Sequence, residues 1–202
     1  MNWRLASRLA VVVSAILVAI LIFVITQAKS APTLQGTDLG SVAAPDFRLT
    51  DQFGNPVSLS QFRGHPVVLT FLYTHCPDTC PLIADKLHLT LNKLGSDASK
   101  VDVLAVSTDP EGDDMAAAYQ FSVTHHMLNQ WHFLIGTAAQ LQPVWSSYHV
   151  FASAPTPTAT GATVDHTVAI YVLDKSGHER VFLAEDFDPG VLANDLRILL
   201  SE

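Results

Sequence analysis

The chain is 202 residues long and carries 19 acidic against 11 basic residues, a net charge of −8 at neutral pH, with 49% of its residues hydrophobic. That length suits one ordinary domain with something added, and the acidic balance argues against nucleic acid or an anionic lipid surface as the main partner. Its two cysteines allow a single disulfide, so this is no mini-domain built on bridges.

The added part is the N-terminus. Residues 9–25 are apolar except for Ser14, and Arg4 and Arg8 precede them. A positive start followed by an apolar run reads as an export signal or a membrane anchor. The run is long for the core of a cleaved signal and short for a spanning helix. Its length favours an uncleaved anchor, with Ala28-Lys29-Ser30-Ala31 as the alternative cleavage site. Arg4 and Arg8 then stay in the cytoplasm and the domain lies outside. Arg4, Arg8 and Lys29 precede residue 31 and every acidic residue follows it. The exported part therefore holds eight basic against 19 acidic residues, a net −11, which suits a cationic partner surface.

Residues 30–44 mix Pro, Gly, Ser and Thr and read as a tether. The expected division is an anchor at 1–27, a linker at 28–44 and one domain at 45–202. Residues 45–50 alternate as a strand, 51–55 turn it, and Val57-Ser58-Leu59 returns. After Gly64-His65-Pro66, the apolar run 67–73 reads as a central strand covered on both faces. The segment Thr74-His75-Cys76-Pro77-Asp78-Thr79-Cys80-Pro81 follows. Each cysteine precedes a proline, which disfavours the helical region, so a tight irregular turn is expected, with Pro81 at the first helical position. Leu82, Ile83, Leu87, Leu91 and Leu94 space as a helix face that Gly95 stops.

Residues 101–107 form the next buried strand, and Asp109-Pro110-Glu111 is expected to open a helix. Residues 131–135 read as a short strand and 137–148 as a helix interrupted at Pro143. Residues 152–163, rich in Ala, Thr and Pro, read as a mobile loop. Strands at 165–173 and 178–183 flank the hairpin turn Asp174-Lys175-Ser176-Gly177, and Asp188-Pro189 caps a last helix. Parallel crossovers followed by an antiparallel hairpin make a three-layer α/β/α sandwich. Ligands in such sheets favour the C-terminal strand ends, where Cys76 and Cys80 lie.

Thiols before a helix N-terminus meet free N–H groups and the positive end of the helix dipole, which favour thiolate. Three residues separate the two cysteines, where thioredoxin-type redox enzymes use two. Side chains four apart on a helix have Cβ atoms about 5–6 Å apart, while a disulfide wants about 3.5–4.5 Å. A bridge therefore needs local distortion, which two prolines can supply; a metal needs no sulfur–sulfur bond. Two thiolates select soft ions, Cu(I) above all, with Zn(II) open. The best third donor is His166, which follows the mobile loop and opens an apolar strand. His75 points away from Cys76 in an extended segment and is read as structural. Asp78 is read as a turn or helix-start residue that can also touch a partner. Asp165 either orients His166 or merely enters the strand. The other histidines, His125-His126 included, take surface or core roles.

Residues 71–81 resemble the metal motif of the SCO/SenC copper chaperones. Val106-Ser107-Thr108-Asp109-Pro110-Glu111, Trp131-His132-Phe133-Leu134 with Gly136, and Val164-Asp165-His166-Thr167 with Tyr171 and Gly177 resemble three further blocks of that family in the same order, over residues 43–200. The resemblance implies a thioredoxin-like fold on a single-pass tether in a bacterial cytoplasmic membrane, with the domain on the periplasmic side. It implies Cys76, Cys80 and His166 as copper ligands, and a Cys76–Cys80 disulfide as the oxidised form. It further implies delivery of copper to the CuA subunit of cytochrome c oxidase, or reduction of that centre's cysteines, with other copper chaperones or thiol reductants as partners. A metallochaperone fits better than an enzyme. A thiol–disulfide oxidoreductase and a copper or redox sensor are the alternatives.

Overall fold

The computed structural model describes residues 3–27, 33–153, 156–158 and 161–202. The chain divides at Thr33 and Leu34 into two units. The first holds α1 (Trp3–Gln27), a helix of 25 residues, whose side chains from Val12 to Phe23 are exposed. Among the described residues, no helix is long and apolar enough to cross a membrane. The cleavage site considered at 28–31 lies outside the described residues.

The second unit runs β1 (Thr37–Ala43), β2 (Arg48–Thr50), β3 (Pro56–Ser58), β4 (Val67–Leu72), α2 (Thr79–Leu94), β5 (Asp102–Ser107), α3 (Met115–Thr124) and β6 (His132–Leu134). It continues with α4 (Ala138–Ser147), β7 (Thr156–Thr158), β8 (Gly161–Thr163), β9 (Ile170–Leu173), β10 (His178–Leu183) and α5 (Pro189–Ser201). Six strands form one sheet in the order β1-β10-β9-β4-β5-β6. β4, β5 and β6 are parallel, and β9 returns antiparallel on the other side of β4.

All six residues of β4 are buried, as an apolar run covered on both faces requires. Its side chains alternate between two cores. Val68 and Leu72 face Ile83, Leu87 and Leu91 of α2 and Leu192, Leu196 and Leu199 of α5. Val67, Leu69 and Phe71 face Leu141, Val144 and Trp145 of α4. These are the expected three layers of a thioredoxin-like α/β fold.

Several local expectations are corrected. Residues 37–43, read as tether, form the edge strand β1, paired with β10. α2 starts at Thr79, capped by the Asp78 carboxylate, which accepts the Thr79 N–H. Pro81 is thus the third helical residue, a first-turn position whose N–H would have no partner anyway. Asp109 opens no helix: its carboxylate accepts the N–H groups of Glu111 and Gly112 in a turn, and α3 starts at Met115 with Asp114 as cap. α4 runs through Pro143 without a break, held by the buried Leu141, Val144 and Trp145. Within 152–163, β7 and β8 pair as an antiparallel hairpin. Residues 164–169 are not a regular strand; a single bridge joins Ala152 and His166.

Candidate metal centre

The centre forms where β4 ends. Antiparallel pairing of Thr70 with Ile170 puts the segment entering β9 at the edge where β4 leaves the sheet. Cys76 lies in the turn after β4 and Cys80 in the first turn of α2, and His166 lies in the segment that enters β9. Cys80 is fully buried in the first turn of α2, while Cys76 is half-buried; both are free thiols in this structure. The disulfide expected for the oxidised form is therefore not formed here.

The Cys76 Sγ accepts the Cys80 backbone N–H at 3.4 Å, one of the donors a helix start leaves open. Hydrogen bonding from the Cys80 thiol, together with that N–H, pulls the Cys76 thiol down to about 5. The Cys80 thiol is pushed the other way by the same bond and by burial. One negative charge is thus shared by the pair and rests on Cys76. Burial pushes the Tyr73 phenol up to about 12, so it stays protonated beside Cys76. It also accepts the Val164 N–H at 3.4 Å and its ring meets the His166 ring edge-on at 5.5 Å.

His166 Nδ1 lies 3.1 Å from the Thr167 carbonyl. A carbonyl only accepts, so Nδ1 carries the proton and Nε2 keeps its lone pair. That lone pair faces Cys80 Sγ at 3.6 Å. Burial lowers the His166 pKa, which keeps the imidazole neutral at neutral pH. The orienting role considered for Asp165 falls to the Thr167 carbonyl. Asp165 itself is exposed, and its N–H donates to Ser153 Oγ.

The donors fit a soft ion. With metal–sulfur and metal–nitrogen bonds of about 2.3 and 2.0–2.1 Å and a tetrahedral angle, sulfur and nitrogen sit about 3.6 Å apart. Cys80 and His166 already have that separation. The atoms of Cys76, Cys80 and His166 do not all lie within 4.8 Å of one another, so the trio must close further on an ion.

Among the described residues, His75, Asp109 and Asp113 do meet that limit. Their carboxylates are already engaged. Asp113 takes donors from Thr74 and Ser107, and Asp109 from Glu111 and Gly112. His75 is exposed, with Nδ1 on Thr74 Oγ1 at 3.0 Å. The sequence places Tyr73 and Thr74 within the 71–81 motif without a role for either, and Asp113 outside every block that resembles the family. The acidic run that ends the β5 block was the available signal for Asp113. A cavity of about 460 Å³ lies at the far end of the sheet, lined in part by Asn92, Asp102, Gln130 and His132, away from the thiols.

The family model described as SCO1/SenC matches residues 35–201. The mitochondrial SCO2 homolog of Mus musculus is 35% identical over 142 residues, covering 68% of this chain and 54% of that protein. The mitochondrial SCO1 protein of Saccharomyces cerevisiae is 29% identical over 165 residues, covering 79% and 54%. The chain thus spans about half the length of these curated relatives. Among solved structures, Bradyrhizobium japonicum ScoI with copper bound is 34% identical, with a TM-score of 0.69 over 77% of this chain and 98% of that one. Apo Sco1 from Thermus thermophilus is 28% identical, with a TM-score of 0.69 over 84% and 98%.

Proposed function

The chain belongs to the SCO1/SenC family, and on that premise we propose that it is a membrane-tethered copper carrier. It holds one copper ion with Cys76, Cys80 and His166 and delivers it to the CuA subunit of cytochrome c oxidase outside the cytoplasm. Copper is the cargo, supplied by another chaperone and released to the acceptor's thiolates. The observation that carries this reading is the 3.6 Å approach of the His166 Nε2 lone pair to Cys80 Sγ across 86 residues of chain. Thiolate and neutral imidazole together suit Cu(I) and also accept Cu(II). Copper bound in the similar Bradyrhizobium structure supports the choice of metal. Cys76, the more exposed thiol, is the ligand an incoming acceptor displaces first.

We read the tether as the apolar run 9–25 behind Arg4 and Arg8, whose composition is that of an N-terminal anchor. Arg4 and Arg8 keep its start in the cytoplasm of a bacterial cell, with the domain periplasmic.

The test uses the full chain in detergent, reduced and loaded with Cu(I) or Cu(II). About one copper per chain is expected, because one three-donor site holds one ion. His166→Ala binds at least tenfold more weakly and loses the parent's Cu(II) spectrum. A parent that binds no better than Cys76→Ser/Cys80→Ser removes the copper reading.

A second reading, thiol–disulfide exchange with the same partner, is favoured by the asymmetry of the pair. Cys76 is half-exposed and ionised, and Cys80 is buried and protonated, the arrangement of an attacking and a resolving thiol. The Cys76 thiolate attacks one sulfur of the partner's disulfide, and the other leaves as thiolate and takes up a proton. Cys80, losing its proton, then attacks the Cys76 sulfur of the mixed disulfide and expels the partner's second thiolate. The partner gains two electrons and the chain ends as the Cys76–Cys80 disulfide. That form cannot bind copper, so one activity switches off the other.

A further inference from the structure

We propose that Asp113 is a positioning residue for the thiol loop: through Thr74, its carboxylate sets the backbone from which Cys76 is presented. This rests on the reading of Cys76 as the exchanging thiol.

Asp113 is 5% exposed and sits between the end of β5 and the start of α3. One carboxylate oxygen accepts both the Thr74 N–H at 2.9 Å and the Thr74 hydroxyl at 2.7 Å. The other accepts the Ser107 hydroxyl at 2.6 Å. Thr74 is the second residue beyond β4 and stands two before Cys76. Ser107 is the last residue of β5. The carboxylate therefore bridges the exits of two neighbouring parallel strands, at the point where the chain turns toward the thiols. Hydrogen bonds to a charged acceptor are stronger than neutral ones, and burial removes water as a competitor.

The turn that delivers Asp113 is itself closed. The Asp113 N–H donates to the Asp109 carbonyl at 2.9 Å, and the Asp109 N–H donates to Ser107 Oγ at 3.1 Å. A Cβ on Gly112 would come within 2.3 Å of Asp109 Oδ2, so a larger residue there displaces the turn. The network also reaches the neighbour of Cys76. The single hydrogen of the Thr74 hydroxyl goes to Asp113, so Thr74 Oγ1 can only accept from His75, 3.0 Å away. His75 therefore carries its proton on Nδ1. None of these groups is among the three donors of the metal centre.

The test reads Cys76 without metal, in the full chain in detergent, as the second-order rate of alkylation by iodoacetamide at pH 7. Asp113→Asn, which replaces the charged acceptor by a weaker neutral one, and Thr74→Val, which removes the hydroxyl donor, are expected to lower that rate threefold or more, because a loosened Thr74 anchor lets Cys76 drift from the position in which the loop presents it. Thr74→Ser, which keeps the hydroxyl, is expected to stay within a factor of 1.5 of the parent. Val144→Ala, in the core on the α4 face, lowers the melting temperature and leaves the rate within the same factor. The sign separates position from charge. Removing a nearby negative charge by itself favours the thiolate, so its field effect cannot slow alkylation. A folded Asp113→Asn variant that alkylates at the parent rate or faster overturns the proposal. A Val144→Ala variant slowed as much as Asp113→Asn does the same. Failure of the parent to bind copper removes the copper reading and leaves this measurement standing.

Discussion

Asp195 makes a sharp stability prediction. It lies in α5 with no exposed surface, and its two carboxylate oxygens accept the Gln35 N–H at 3.0 and 3.1 Å. Burial pushes its pKa from 3.8 to about 6, and the Gln35 hydrogen bond only partly opposes this. The folded chain thus holds this proton more tightly than the unfolded chain. The stability that the protonated form contributes is complete below about 3.8 and is lost as the pH rises through about 6. Each pH unit of displacement is worth about 1.4 kcal/mol, which sets a ceiling of about 3 kcal/mol for ionisation at neutral pH. Solvent screening near the start of β1 reduces this to about 1–2 kcal/mol. Asp195→Asn keeps an acceptor for Gln35 and removes the charge. Urea unfolding of residues 33–202 at pH 7.5 and pH 4.5 isolates the effect, because any constant cost of the amide cancels between the two conditions. The variant should gain about 1–2 kcal/mol relative to the parent on going from pH 4.5 to 7.5. Asp113, also raised by burial to about 6, is common to both proteins and cancels. A stability difference that does not change with pH would refute the reasoning.

Other outcomes follow from burial and charge. In the reduced parent, iodoacetamide should modify Cys76 at least tenfold faster than Cys80, which has no exposed surface; peptide mapping after partial labelling reads the ratio, and equal labelling would contradict the assigned asymmetry. Phe71→Ala empties a fully buried position between the β4 and α4 layers and should cost about 3–5 kcal/mol, measured by urea unfolding. Asp78, Glu111, Asp114 and Asp165 are exposed around the thiol edge, so a cationic methanethiosulfonate should react with Cys76 faster than an anionic one. The ratio of the two rates should fall severalfold between about 20 mM and 500 mM salt as the acidic field is screened; a salt-independent ratio would remove the argument for a cationic partner surface.

The parts legible in the sequence were those whose signal is local and strong. The runs at β4 and β5 are buried on both faces, so composition alone marked them. β1 carried no such mark. Its residues are almost all exposed, and it is a strand only because the unpaired edge of β10 offers hydrogen bonds. The start of α3 is not legible from Asp109-Pro110, because an Asp-Pro pair caps helices and closes turns equally well. Here the Ser107–Asp113 link and the Asp109 carboxylate settle it as a turn.

The candidate metal centre shows the same division. The cysteines were visible as the only pair in the chain, and His166 was one histidine of nine until its neighbours matched a family block. What spacing cannot express is the topology that unites them. β9 runs antiparallel beside β4 and not beyond β6, so the residues just before Ile170 return to the edge that Thr74 and Cys76 have just left. Had the β9–β10 hairpin joined the sheet outside β6, the same residues would lie two strands farther from Cys80. Placement of the ninth strand next to the fourth thus turns a distant histidine into a candidate donor. The Thr167 carbonyl, through the tautomer it imposes, leaves the lone pair facing the buried thiol.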